Sequence, residues 1–137
     1  MATTLRLDIE EEYTFKVIGV TCADEGARFC GNVNRSLGVD LAYHGEIEAE
    51  NRAGRTTHAI WRHEDLREWT LDVVWNRMAD GAMIPVLQHF DFLVRVESHF
   101  GDHGQELLKS LRSVRNVTSC FAVELEKLPA AHHLDFD

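Results

Sequence analysis

Between Gly81 and Glu97 the chain reads GAMIPVLQHFDFLVRVE, and no other stretch limits its folding as tightly. Pro85 fixes its own φ and has no amide proton to give, so the residues around Ile84 and Pro85 turn the chain and interrupt any sheet. Past that turn, Phe92 to Glu97 is the most strand-like segment of the sequence, rich in aromatic and branched side chains. It is the expected spine of a sheet.

Other strand patterns surround it. Leu5, Leu7 and Ile9 alternate with Arg6, Asp8 and Glu10. Tyr13, Phe15 and Val17 then alternate with Lys16, Ile18 and Val20, and the charged Glu10-Glu11-Glu12 marks a bend or exposed edge between the two runs. Asp24 has the chemistry of a helix N-cap, with Glu25 in the first turn. Phe29, Cys30, Val33 and Leu37 share one helical stripe and Gly38 supplies a stop, which predicts a helix over Glu25–Leu37. Gly26 and Gly31 inside it allow close approach to the sheet. Asn51 to Gly54 reads as a hairpin loop between strands near Glu46–Glu50 and Thr56–Trp61. His63 to Glu68 reads as a polar turn.

Trp69, Leu71, Val73 and Trp75 alternate with Thr70 and Asp72, giving a strand with an aromatic face, and Asp80-Gly81 turns the chain. Asp102, with Gln105 three residues on, predicts a capping box for a second helix whose buried stripe is Leu107, Leu108, Leu111 and Val114. Val117, Ser119, Phe121, Val123 and Leu125 alternate into a last strand that Pro129 ends. Hairpin-linked strands with two separated helices argue for an α+β two-layer domain, its sheet antiparallel or mixed and both helices on one face. A ferredoxin-like core with an inserted hairpin fits that order, and an open mixed sheet of another strand order is the alternative. Residues 1–129 form the single domain, and 130–137 a C-terminal tail that is frayed or docked on a partner.

A chain of 137 residues buries roughly 65–70% of its extended surface, enough for one core. No apolar run approaches the roughly 20 residues of a membrane span. The N-terminal residues lack the basic and apolar regions of a secretory signal, so the expected location is cytoplasmic. Cys22, Cys30 and Cys120 are an odd count without metal-like spacing, and read as free thiols. With 23 acidic and 14 basic side chains the net charge is −9, a field that repels phosphate backbones and anionic lipid. Neither nucleic acid nor membrane is an expected partner.

No catalytic group is legible. GxxxxGK[ST] and GxGxxG are missing, as are HExxH, a Cys/His zinc pattern and GxSxG, so neither a cofactor nor a metal is expected. His99 and His103 are four apart but fall in a loop and first turn rather than on one helical face. Cys22 precedes the first helix, where Asp24 and Glu25 oppose thiolate formation. Asp91 reads as a ligand or general acid, or as the cap of a turn paired with a cation such as Arg77. Trp61, Trp69 and Trp75 read as a core cluster or, if exposed, as interface anchors beside Arg52, Arg55, Arg62, Arg67 and Arg77.

Ile84-Pro85-Val86-Leu87-Gln88-His89-Phe90-Asp91-Phe92 resembles the signature of the IPExxVDY proteins, small bacterial domains found mainly in Bacteroidetes. Ile84, Pro85 and Asp91 match it, whereas Val86 stands for the motif Glu, Phe90 for the Val and Phe92 for the Tyr. Val17 to Cys22, Arg28 to Leu41 and Trp75 to Arg77 add to the similarity, which spans nearly the whole chain. The resemblance implies no established activity or cofactor, and Val86 removes the one carboxylate such chemistry would use. The leading reading is a non-enzymatic protein-interaction module, self-associating as a homodimer through a strand edge or the Trp/Arg surface. The alternative is a small-molecule-binding protein or small enzyme with a pocket between helices and sheet, built on Asp91, Asn76, Arg77 and Cys22.

Overall fold

A computed structural model describes residues 15–51, 54–65, 69–98, 104–128 and 131–136 of the chain. In chain order these build β1 (Phe15–Cys22), α1 (Gly26–Leu37), β2 (Ala42–Asn51), β3 (Gly54–Asp65) and β4 (Trp69–Trp75). There follow the short strands β5 (Arg77–Met78) and β6 (Gly81–Ala82), then β7 (Phe92–Ser98), α2 (Gly104–Leu111) and β8 (Val117–Val123). Six of the strands form one sheet in the order β2-β3-β4-β7-β1-β8, with every pairing antiparallel. Considered without the β2–β3 hairpin, β8-β1-β7-β4 is the spatial order of a ferredoxin-like βαββαβ unit, and the hairpin extends it past β4.

The spine predicted at Phe92 lies inside the sheet, paired with β4 on one side and β1 on the other. Its alternation serves both faces. Phe92, Val94 and Val96 join Ile18, Val20, Leu71 and Val73 under the helices, which contribute Phe29, Cys30 and Val33 from α1 and Leu107 and Leu111 from α2. Phe29 stacks on Phe92 with ring centroids 4.3 Å apart. Each such fully buried side chain is worth about 1.5–3 kcal/mol of transfer free energy. On the opposite face Phe15, Val17, Val74 and Leu93 are covered by Met83, Ile84, Leu87 and Phe90 from the β6–β7 connection, and by Leu134. That connection makes one 3₁₀ turn at Pro85–Leu87, opened by the proline.

Several expectations are corrected. α1 starts at Gly26, and Glu25 occupies the N-cap without a side-chain bond. The Asp24 carboxylate is engaged instead by the side-chain amides of Asn116, at 2.9 Å, and Asn32, at 3.4 Å. His63 to Asp65 are strand rather than turn, because β4 continues the ladder opposite them, pairing His63 with Leu71 and Asp65 with Trp69. Residues 131–136 are not a frayed tail: Leu134 is fully buried on the sheet, and its carbonyl accepts a 2.7 Å bond from Arg95 Nη1. The strand expected at Leu5–Ile9, the cap at Asp102, and His99 and His103 lie outside the described residues.

Candidate functional site

Asn76, Arg77, Asp91 and Cys22 meet where β4 ends and β7 begins. The Asp91 carboxylate accepts from the Cys22 amide at 2.8 Å through Oδ2 and from Arg77 Nη2 at 2.6 Å through Oδ1. Its backbone amide donates to the Val20 carbonyl, and its carbonyl accepts from the amides of Asn76 and Arg77. Asn76 is fully buried. Its Nδ2 donates to the carbonyls of Leu87 and Phe90, each at 3.0 Å, and its Oδ1 accepts from the Ile84 amide at 3.2 Å. The four residues thus converge on one another: the Asn76 side chain serves the backbone of the turn, and the Asp91 carboxylate joins the end of β1 to the Arg77 side chain. Among the described residues no buried side-chain nitrogen or oxygen lacks a partner.

Cys22 is buried, and burial raises its thiol above the ordinary pKa, with the charges of Asp24 and Asp91 adding to the effect. Burial likewise pushes the Cys120 thiol up to about 11 and that of Cys30 well up. None is poised as a thiolate. Among the described residues no three His, Cys, Asp or Glu side chains come together as a metal site.

Trp61 and Trp75 lie half-buried against the helix-side core, 6.3 Å apart by ring centroid, and Trp75 stacks on Phe92 at 5.8 Å. The start of α1 rests on both. A Cβ at Gly26 would lie 2.3 Å from the Trp61 ring, so only glycine permits that approach. Trp69 packs against the same core cluster at the other end of β4, beside His63 at 5.4 Å. Arg62 and Arg77 do not share this surface. Arg62 lies on the opposite face of β3, where its Nε meets Asp72 Oδ1 at 2.6 Å; Arg77 is held by Asp91, and exposed Arg55 faces Glu48 and Glu50. Arg52 and Arg67 fall outside the described residues.

Two polar centres went unread in the sequence. Asp72 is fully buried between Arg62 and Arg95, with Arg95 giving Nε and Nη2 to Oδ2 at 3.2 and 3.0 Å. The Arg95 guanidinium also lies 4.0 Å from the Phe136 ring centroid, a cation–π contact that helps seat the C-terminal segment. His58 is fully buried as well, its Nδ1 2.9 Å from the Trp75 carbonyl and its Nε2 2.6 Å from Thr56 Oγ1. A carbonyl only accepts, so Nδ1 carries the proton and Nε2 accepts from the Thr56 hydroxyl. The first centre leaves only a faint trace in the sequence, opposite charges each flanked by apolar strand residues (Asp72 between Leu71 and Val73, Arg95 between Val94 and Val96), and His58 leaves none.

The two outer edges of the sheet differ sharply in chemistry. β2 carries Glu46, Glu48 and Glu50 and a bulge between Tyr43 and Gly45, devices that discourage pairing with another strand. β8 reads VTSCFAV, without a charge or proline, and exposes 56% of Phe121. Because the Val20 carbonyl is taken by Asp91 on the β7 side, Val20 and Cys120 face each other as a non-hydrogen-bonded pair. The amides and carbonyls of Cys120 and Ala122 therefore point out of the sheet. Arg112 Nη2 holds the Cys120 carbonyl at 3.1 Å, above an open groove of about 420 Å³ lined by Arg112 and residues 117–121.

No protein-family model matches the chain, and no curated protein sequence matches it. No helix among the described residues is long and apolar enough to cross a membrane. Among the described residues, fold and geometry define an α+β domain with an antiparallel sheet, two helices on one face and one edge strand, β8, that carries no charged side chain of its own.

Proposed function

We propose that this protein is a non-enzymatic interaction module that takes an extended strand from another polypeptide chain along β8. The observation that carries the reading is the contrast between a charged, bulged β2 edge and a neutral β8 edge with outward backbone groups and an exposed Phe121. Strand addition of this kind draws affinity from main-chain hydrogen bonds and specificity from side-chain contacts. The Trp surface supports an interface less well, since Trp61 and Trp75 are engaged by α1. The pocket reading built on Asp91, Asn76, Arg77 and Cys22 is also less well supported, because the Asn76 side chain is engaged by the turn and the Asp91 carboxylate by the Cys22 amide and Arg77.

Kinship with the IPExxVDY proteins is proposed alongside. What supports it is that all three matching residues shape this turn: Ile84 is buried and bonded to Asn76, Pro85 opens the 3₁₀ turn, and Asp91 receives Cys22 and Arg77. The interface is tested by a photo-crosslinking side chain placed at Phe121 or, as control, at Glu48 on β2. Protein adducts in the protein's own cells at position 121 but not 48 are expected. Adducts at 48 alone, or at neither, would overturn the β8 reading.

A further inference from the structure

Resting on the strand-addition reading, we infer that the strand β8 receives is β8 of a second copy, paired antiparallel about a two-fold axis at Phe121. Three observations converge. First, the outward-facing backbone groups belong to Cys120 and Ala122, one on each side of Phe121. A two-fold axis at Phe121 sets Cys120 of one copy opposite Ala122 of the other. Both of these pairs then exchange amide and carbonyl bonds, while the two Phe121 residues form the close, non-hydrogen-bonded pair between them. Shifting the axis by half a residue breaks that match.

Second, the exposed ring of Phe121 sits on the face where Phe90 already lies, 6.4 Å away by ring centroid. Its twin across the axis extends the same aromatic row, and directly opposed aromatic pairs are among the favourable cross-strand contacts. Third, the ends of β8 carry opposite charge. Arg112 and Arg115 precede it, while Glu124 and Glu126 follow it with Lys127 beside Glu124 at 2.9 Å, so one end is basic and the other net acidic by a single charge. Antiparallel pairing brings the basic end of each copy beside the acidic end of the other, whereas parallel pairing would set like beside like. Arg112 leaves the Cys120 carbonyl as the second strand arrives and turns toward the second copy's acidic end. The bulge between Thr21 and Cys22 disturbs the β8 ladder near Thr118, which leaves Ser119–Val123 as the regular part centred on Phe121.

Sedimentation equilibrium of the full chain is expected to show a reversible dimer. Ala122→Pro removes only an outward-facing donor, a substitution that an edge strand tolerates. It should weaken the dimer about tenfold or more while leaving the far-UV circular dichroism unchanged. Phe121→Cys needs no backbone change, and the three native cysteines are all buried. Mild oxidation should join its two copies by a disulfide, and Glu48→Cys should not be joined. Arg112→Glu and Glu124→Arg should each weaken association, and the double variant should recover it.

A chain that stays monomeric, yet gives adducts to other proteins at position 121, overturns the second copy and leaves strand addition standing. A dimer that ignores Ala122→Pro and in which Phe121→Cys forms no disulfide uses another surface and overturns the second copy on β8, and strand addition falls with it if position 121 gives no adduct. A monomer with no adduct at position 121 overturns both.

Discussion

Replacing Asn76 by Ala tests whether the candidate cluster holds the β4–β7 connection or is held in reserve for a ligand. The side chain makes three bonds to backbone groups of the connection. Their loss is unequal. The Leu87 carbonyl keeps the Phe90 amide at 2.9 Å, so it retains a partner. The Ile84 amide and the Phe90 carbonyl lose the partner they have, and both residues are buried. An orphaned buried backbone group costs about 1–3 kcal/mol, and the third bond adds about 1 kcal/mol, which sums to about 3–7 kcal/mol. That is a large share of the roughly 5–15 kcal/mol by which domains are stable. Urea unfolding should therefore show a markedly lower midpoint with an unchanged slope, and hydrogen exchange should show early opening of residues 83–91. Arg77→Ala is the control. Its side chain is more than half exposed, so its ion pair with Asp91 contributes about 0–1 kcal/mol. A loss below about 1 kcal/mol for Asn76→Ala would refute the reasoning, since water or a shifted backbone would then satisfy the freed groups at little cost.

Three other outcomes are expected. Asp72→Ala leaves the buried Arg95 guanidinium with the Leu134 carbonyl and the Phe15 and Phe136 rings but no carboxylate, and should cost about 3–5 kcal/mol in denaturant unfolding, whereas replacing Asp72, Arg62 and Arg95 together by apolar residues should cost much less. Gly26→Ala should destabilise by about 1–3 kcal/mol and shift tryptophan fluorescence, because the new methyl meets Trp61 and Trp75, while Gly31→Ala, with open space around it, should stabilise by about 0.5–1 kcal/mol. Burial holds His58 below its ordinary pKa of 6.5, against the opposing effects of the Trp75 carbonyl and Asp80, with His133 lowering it further. The unfolded chain then takes up a proton that the folded chain resists, so this residue's share of stability is intact above about pH 6.5, declines as pH falls below it, and levels off beneath the folded value. The pH dependence of unfolding free energy between neutral and mildly acidic conditions should flatten in His58→Gln; an unchanged slope would contradict the assignment.

The fold was legible where periodicity and burial coincide. Phe92 to Glu97, Trp69 to Trp75 and the stripe Phe29, Cys30, Val33 each follow one spacing because one face of each meets one core. Boundaries failed where a distant partner decides. Asp24 has the chemistry of an N-cap, yet Asn116, 92 residues away in sequence, claims its carboxylate. His63 to Asp65 look like a turn until β4 is seen to pair with them. The convergence of Asn76, Arg77 and Asp91 was suggested by their place beside a turn, but their partners are mostly backbone atoms, which sequence does not distinguish. Asp72 and Arg95 were passed over because each, alone, looks like the polar half of an alternating strand. Only the β4–β7 register, which sets them directly opposite each other, reveals the pair.

The strand order also governs how the chain must be put together. β1 sits between β7 and β8, so the first described strand pairs only with segments some 70 and 100 residues further on, while β2, β3 and β4 pair with their neighbours in sequence. During synthesis the β2–β3–β4 meander can form early, with Asp72 held by Arg62 alone. β1 has neither flank covered until β7 and β8 emerge. Sheet closure is a late, non-local event, of the kind that slows folding and leaves strand edges open to misassociation. The arrival of β7 does two things at once: it gives β1 its first neighbour, and through Arg95 it completes the charge cluster that the meander has carried half-formed.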